Sequence, residues 1–487
     1  RRTHPMGPIY MLALRPGTQP STTRCEKPDF DQSVVTSPAP VRASREPWRT
    51  GSPTQSWYRR SKPLPFVWAS VLGLLLGAGA SNSRCFADWP EFRGPLQNGI
   101  VSNPELPIAW SAEPGQEKNI VWFAPVRGLG WSSPVIIGDR IYMTSACTND
   151  SAETNSDVAQ SLVLVCIDGK SGKTQFEKTI FEQGAKAPSI HNKNSHASPT
   201  PIAMGNRLFL HFGHQGTACT DLEGTVIWKN RDHSYAPVHG NGGSPILAGN
   251  LLVFTCDGAD ASYTVALDQT TGGEVWRTPR GIECERPFSF ATPQYIEVDG
   301  KPQIISPGSN IVQSLDPETG LVLWSVRYEG FSLIPRPLFH QGLVYLSTGY
   351  MAPKLLAIDP TGTGDVTDSH VRWTLSGGIP NTPSFAPVGD QLVMVSDGGI
   401  ATGVRAVDGK KLWQKRIGGN YSASPTTNGN LVFLQSESGE AIVLKIDEQP
   451  EELSRNQLPG RAFASYATID NDWIIRTEGG LYRIGSR

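Results

Sequence analysis

Charge, paired cysteines and long apolar runs are all scarce in this chain. Only 18% of its 487 residues are charged and the net charge is -2. That balance offers no basic field for nucleic acid and is low for a disordered or charged helical protein. Seven cysteines occur, but no Cys-x-x-Cys, Cys-x-x-Cys-His or adjacent pair, which excludes c-type haem attachment and argues against a zinc ribbon. Five of them, Cys147, Cys166, Cys219, Cys256 and Cys284, follow the N-terminal region; Cys166, Cys219 and Cys256 lie in apolar strands and read as buried free thiols. A nucleotide-binding loop is missing too, despite GKSGKT at 169 to 174. The P-loop requires glycine five positions before its Gly-Lys pair, and that position is Ile167, a β-branched residue unsuited to a glycine-only conformation.

What is abundant is glycine (50), proline (39) and tryptophan (13), the composition of many short strands and turns. Two landmarks recur. The first is an apolar run ending in aspartate, a turn rich in Gly, Thr and Pro, and then an aromatic: LDQTTGGEVW ending at Trp276 and LDPETGLVLW ending at Trp324 are two copies. Asp168, Asp221, Asp268, Asp316, Asp359 and Asp408 read as one repeated structural position. The second is a pair of short strands after a proline, at Pro134, Pro199, Pro245, Pro293, Pro337, Pro383 and Pro425. The spacing is mostly 41 to 48 residues, with one interval of 65. Four strands per repeat of this length is the signature of a propeller blade. An eighth copy starting at Ala462, with Tyr466 in place of the proline, has only three strands before the chain stops. The stretch NIVWFAPV at 119 to 126, carrying Trp122, supplies the missing outer strand. The sequence therefore predicts an all-β fold: one eight-bladed β-propeller of four-stranded antiparallel blades over residues 88 to 487, closed by an N-terminal strand. Trp228, Trp276, Trp324 and Trp413 are expected to dock between blades.

On these motifs the chain resembles the bacterial propellers with quinoprotein-type (PQQ-like) repeats, whose blades carry Asp-x-x-x-Gly-x-x-x-Trp docking motifs. That group includes the periplasmic propeller of outer-membrane protein assembly and the quinoprotein alcohol dehydrogenases. The opening DWPEFRGPLQNG from Asp88 is similar to secreted members. The resemblance implies fold strongly and activity weakly.

Residues 1 to 60, rich in Arg, Ser, Pro and Thr, read as disordered or as an upstream gene-model extension. Residues 61 to 87 read as a signal peptide or an uncleaved anchor. Arg59, Arg60 and Lys62 precede an apolar core from Phe66 to Ala80, and Cys85-Phe86-Ala87 offers a small-x-small cleavage site. That core, about fifteen residues, is short for a spanning helix. The expected location is periplasmic or elsewhere in the cell envelope, with membrane contact only through an uncleaved anchor, and the expected state is a monomer.

The loops leading into each inner strand converge on the top of the central channel. They carry Trp131, His191, Asn194, His196, His239, Asn241, Arg286, Arg336, Asn381 and Tyr421, and six of nine histidines fall between 191 and 239. Three readings remain open for this cluster. The side chains bond loop backbone; or they bind a small polar or sugar-like ligand, with Arg286 and Arg336 as forked donors; or they hold a metal, for which no convergent carboxylates are evident. His211 and His214 tend to opposite faces and are not expected to act together.

The resemblance also implies an enzyme alternative, a quinoprotein oxidoreductase using pyrroloquinoline quinone (PQQ) and calcium on an alcohol or sugar; another enzyme using the top-face pocket is the remaining alternative. Family enzymes of that kind commonly carry adjacent cysteines, which this chain lacks. The favoured reading is an exported noncatalytic propeller, without cofactor, metal or nucleic-acid partner. It would bind a protein partner or a small polar ligand in the cell envelope.

Overall fold

The computed structural model describes residues 88–103, 105–148 and 158–486. The segments 1–60 and 61–87, read above as an extension and an export signal, lie outside the described residues.

Eight antiparallel sheets follow one another along the chain. Blade 1 comprises Val135–Ile137, Arg140–Thr148, Gln160–Asp168 and Thr174–Gln183. Blades 2 to 7 repeat that order over 202–230, 246–279, 294–327, 338–376, 386–416 and 426–457. Blade 8 has three strands of its own between Ala467 and Ile484. Its fourth, Ile120–Pro125, pairs antiparallel with Gly480–Ile484 and sets Phe123 opposite Tyr482. The N-terminal closure expected from the sequence is therefore the observed one, and it leaves no blade with an open gap beside it. Blades 4 and 7 each gain a short fifth strand in parallel pairing.

The second and third strands of each blade are buried along most of their length because blades are packed on both faces. Leu162 to Ile167 in blade 1 are all buried, and Leu164 and Cys166 share one core cluster with Leu208, Leu210 and Ala218 of blade 2. Outer strands alternate instead, as in Val371–Ser376.

The Asp-Gly-Trp motif has a direct physical explanation. Asp168, Asp268 and Asp316 each accept the backbone N–H three residues on, at 2.7, 2.8 and 2.9 Å, which closes the turn. The glycine four residues after the aspartate has positive φ, 70° at Gly172, 73° at Gly272 and 72° at Gly320. A Cβ there would stand only 2.8, 2.5 and 2.6 Å from the ring of Trp122, Trp228 and Trp276 respectively. Glycine thus admits both the left-handed turn and the preceding blade's indole. Each indole N–H then donates to that turn: Trp122 to Gly169 O (2.9 Å), Trp228 to Gln269 O and Trp276 to Pro317 O (both 3.0 Å). Trp324 and Trp413 are equally buried between blades but donate within their own blade, to Gln303 and Gln391.

One aspartate of the predicted set is misplaced. In blade 6 the backbone bonds that Asp168 makes in blade 1 are made by Arg405 (Arg405 N to Lys410 O, and Gly409 N to Arg405 O). Asp408 stands three residues later and pairs with Arg405 at 3.0 Å. The three-residue drift is masked in the sequence because the trailing tryptophan keeps its place.

The stretch after Asp88 does more than lead into the closing strand. It enters the channel and turns back, bonding the free edges of inner strands as it goes. Trp89 exchanges two backbone bonds with Ile136 of blade 1, Pro90 O accepts from Ala203 of blade 2, and Gly99 O accepts from Thr427 of blade 7. Arg93, buried, donates to Phe385 O in blade 6 and Pro425 O in blade 7. Gly94, at φ 75°, packs against the Trp89 ring. Residues 89 to 101 are therefore a looped plug for the channel.

Two outcomes follow for stability. Trp276→Ala should cost about 3 to 5 kcal/mol in chemical denaturation, the usual range for deleting a buried large aromatic. A change below about 1 kcal/mol would show that the indole is not a main inter-blade contact. Removing residues 88 to 126 takes away both plug and closing strand, and should abolish a monomeric, cooperatively unfolding ring. Unchanged thermal unfolding of that truncated chain would contradict the closure.

Candidate functional site

At the top of the channel the residue entering each inner strand carries a hydroxyl in seven of eight blades, and those hydroxyls form a hydrogen-bonded ring. The backbone N–H of Ser133 donates to Thr200 Oγ1, Thr200 to Ser244 Oγ, and Ser244 to Thr292 Oγ1, each at 2.9 Å. Arg336 N donates to Ser384 Oγ, Ser384 to Ser424 Oγ, and Ser424 to Ser465 Oγ, each at 3.0 Å. Ser465 returns to Ser133 Oγ at 3.2 Å. Every blade but one is thus pinned to its neighbour by a side-chain acceptor for an otherwise unmatched inner-strand N–H.

The exception is blade 5, where Arg336 takes the place of the hydroxyl. Its side chain crosses the gap, donating to Pro293 O at 3.2 Å, to Phe92 O at 2.8 Å and to Glu91 Oε2 at 3.2 and 3.3 Å. Arg336 is 1% exposed. Burial pushes the Glu91 carboxyl up, against the opposing pull of Arg336, and burial likewise lowers Arg336. The expected role of Arg336 as a forked ligand donor is therefore corrected: both faces of its fork are spent on the plug and the neighbouring blade.

Above the ring lies a cavity of about 830 Å³, floored by Phe92 of the plug. Of the ten sequence candidates, six line it: Trp131, His191, Asn194, His239, Arg286 and Asn381. His191 and His239 meet edge to face with centroids 5.8 Å apart, and Asn194 Nδ2 donates to His239 O at 2.9 Å. The Asn381 backbone N–H donates to Asp397 Oδ2 at 2.7 Å. Arg286 is exposed, with its guanidinium 4.7 Å from the Phe331 ring centre.

The other four do not reach the cavity. Besides Arg336, His196 is buried with neither ring nitrogen partnered among the described residues. Asn241 is buried holding loops together: it donates to Phe212 O and accepts from the Tyr235 hydroxyl. Tyr421 is fully buried in the core between blades 6 and 7. All four sit close in sequence to lining residues, but the loops turn so that neighbouring side chains diverge. Among the described residues no group of three or more His, Cys, Asp or Glu is placed to hold a metal ion.

Sequence reasoning missed the aromatic wall. Phe288 and Phe290 meet His239 at 5.4 and 6.3 Å, Phe288 meets Phe331 at 5.7 Å, and Phe331 meets Tyr350 at 5.9 Å. Across the cavity, Trp131 and Phe463 pack at 4.6 Å, with Arg461 above both. Lys193 spans the mouth to Glu437 of blade 7 at 2.8 Å, and Glu437 also accepts from Ser422 at 2.6 Å. Phe288 and Phe290 lie in the loop that carries Arg286, and Phe463 at the head of the eighth copy, but phenylalanine there reads as packing. Asp397 accepts from Thr382 Oγ1 at 2.7 Å, so both its oxygens are engaged.

Burial, not chemistry, governs the remaining histidines. It lowers His196 to about 4 and His211 to about 3, and it also lowers His214 and His233. His211 lies against Phe254, with centroids 4.3 Å apart. In the unfolded chain these rings titrate near 6.5, so the unfolded state takes up protons first. Their contribution to stability is complete above about pH 6.5 and is lost as the pH falls from there towards about 4. The thermal midpoint should fall over that window, and His196→Leu should flatten the fall because it removes a titrating group without orphaning any partner. For His196 alone the effect is bounded at roughly 3 kcal/mol. An identical profile in His196→Leu would show that this ring does not contribute.

The family model described as outer membrane protein assembly factor BamB matches residues 107–279 and 260–484. The outer membrane protein assembly factor BamB of Burkholderia pseudomallei (strain K96243) is 29% identical over 117 residues, covering 24% of this chain and 30% of that relative's length. The computationally designed Ika8 protein superposes with a TM-score of 0.50 at 12% identity, covering 74% of this chain and 99% of the other. BamB from Moraxella catarrhalis gives 0.47 at 14% identity, covering 70% and 98%. Quinohemoprotein alcohol dehydrogenase from Comamonas testosteroni gives 0.41 at 12%, covering 82% and 81%. At such identities structural likeness speaks to the fold alone. Because the family model runs from ahead of the closing strand to the last strand of blade 8, the chain belongs to the outer membrane protein assembly factor BamB family.

Proposed function

We propose that this protein is an exported, noncatalytic propeller that serves as a docking scaffold for a protein partner in the cell envelope, acting as a monomer and needing no cofactor. The observation that carries this reading is the family match over both halves of the ring, in a family whose described role is outer membrane protein assembly. The wall of the top cavity supports it. A quinone enzyme of the related kind needs a divalent cation held by six to eight oxygens, several of them carboxylate, and a free carboxylate base. The cavity offers one lining carboxylate, Asp397, and Asn381 and Thr382 already occupy its oxygens. The donor set does not match the cofactor, and no adjacent cysteines exist to accompany it.

Two measurements test this. On cell fractionation the protein is expected in the periplasmic or envelope fraction, and recovery with cytoplasmic markers would overturn export. Given pyrroloquinoline quinone and calcium, the purified full chain is expected to oxidise neither ethanol nor glucose in a dye-linked assay. Turnover that a chelator abolishes would establish the quinoprotein alternative instead.

A further inference from the structure

The hydroxyl ring is half used. Each of its seven oxygens accepts a backbone N–H from the adjacent blade, and none of the seven O–H groups donates to another protein group among the described residues. All seven side chains line the cavity, and all seven are more than nine-tenths buried. With one lone pair spent, each hydroxyl keeps one proton to donate and one lone pair to accept, so the cavity base is a crown of unspent two-way hydrogen-bonding groups. The walls add the Arg286 guanidinium, which makes no ion pair among the described residues, while the one lining carboxylate is already occupied. The cavity is therefore rich in unspent hydrogen-bonding groups, the buried Asn381 Oδ1 among them.

Its apolar surfaces are equally specific. Phe92 forms the floor, Phe288, Phe290 and Phe331 one wall, and Trp131 with Phe463 the wall across from it, since blades 8 and 1 stand opposite blades 4 and 5 in a ring of eight. An apolar ligand would cover the rings but leave seven buried donors unmatched, at a cost for each. An extended peptide presents its N–H and C=O groups along a line, whereas the unspent hydroxyls stand round a circle. A simple inorganic anion would satisfy donors and leave the aromatic walls unused. A pyranose satisfies both: its C–H faces stack on aromatic rings, and its ring, glycosidic and hydroxyl oxygens accept from the crown.

We propose that the top cavity is a saccharide-binding site for a short acidic saccharide, with sugar rings held between the aromatic walls over the hydroxyl crown and a carboxylate paired with Arg286. The pairing is charge-assisted and forked. A cavity of about 830 Å³ is of the size that holds a drug-sized ligand, which corresponds to two or three sugar units. This inference goes beyond the scaffold reading and does not depend on it, since a partner can dock outside the channel whether or not the cavity is filled.

The test is calorimetric titration of the full chain with α-1,4-trigalacturonate, with neutral maltotriose and with citrate. Trigalacturonate is expected to bind more tightly than maltotriose, and citrate not to bind. Arg286→Ala should weaken trigalacturonate about tenfold or more, weaken maltotriose less, and leave the thermal midpoint unchanged. Phe288→Ala should weaken both saccharides. Trigalacturonate should also quench or shift Trp131 fluorescence in wild type and not in Trp131→Phe, a readout independent of charge. The proposal is overturned if neither saccharide binds at about 10 mM, if citrate binds as well as trigalacturonate, or if Arg286→Ala leaves trigalacturonate binding intact.

Discussion

Everything at the top of this molecule depends on one small interaction, a backbone N–H at the start of each inner strand donating to the hydroxyl of the next blade. Inner strands are short, three residues in most blades, and their first N–H groups face a channel and not another strand. Left unpaired there, each would carry a desolvation cost of about 1 to 3 kcal/mol. A serine or threonine in the following blade satisfies the group and sets the distance between blades in the same step. The rule holds seven times round the ring. Where it lapses, at Arg336, the vacated position is used to hold the plug through Glu91 and Phe92.

Buried charge at this level is tolerated because the terminal guanidinium nitrogens have fixed acceptors. Arg93 and Arg476 are both buried without a carboxylate partner in their bonds, and burial draws both down to about 9. Arg93 faces backbone carbonyls of blades 6 and 7. Arg476 of blade 8 donates to Ser132 O, Ser132 Oγ and Thr144 O of blade 1, so it clasps the two blades on either side of the closure. Arginine suits such posts because its planar fork holds several acceptors with its charge retained.

The fold was legible in the sequence because its signals are repeated. A tryptophan docking on the next blade's glycine leaves the same spacing again and again, and even the closing strand was found through Trp122. The drift at Asp408 shows the limit: periodic spacing identifies a turn more securely than it identifies a residue within it. The cavity was less legible. Loops before the inner strands were correctly brought together, yet His196, Asn241, Arg336 and Tyr421 turned inward, because whether a loop side chain faces channel or core depends on backbone turns that no periodicity encodes. The hydroxyl ring was present in the sequence all along, in the Ser-Pro and Thr-Pro steps at 133, 244, 292 and 424. It passed as ordinary turn chemistry, since proline drew the attention and serine is common beside it.

The plug ties these levels together. One stretch of chain, from Asp88 to Pro125, first bonds the channel edges of blades 1 and 2, then floors the cavity with Phe92, bonds blade 7, and finally supplies the outer strand of blade 8. A ring missing that stretch lacks its last strand and also the bottom of its site. The hydroxyl crown can encircle a defined space only when blade 8 is complete, because the Ser465 to Ser133 link crosses the junction between first and last blades. Cavity and closure are thus formed by the same contacts and must be gained or lost together. A site built this way is rigid by construction: its walls come from eight separate sheets, and none can move outward without breaking a bond to its neighbour.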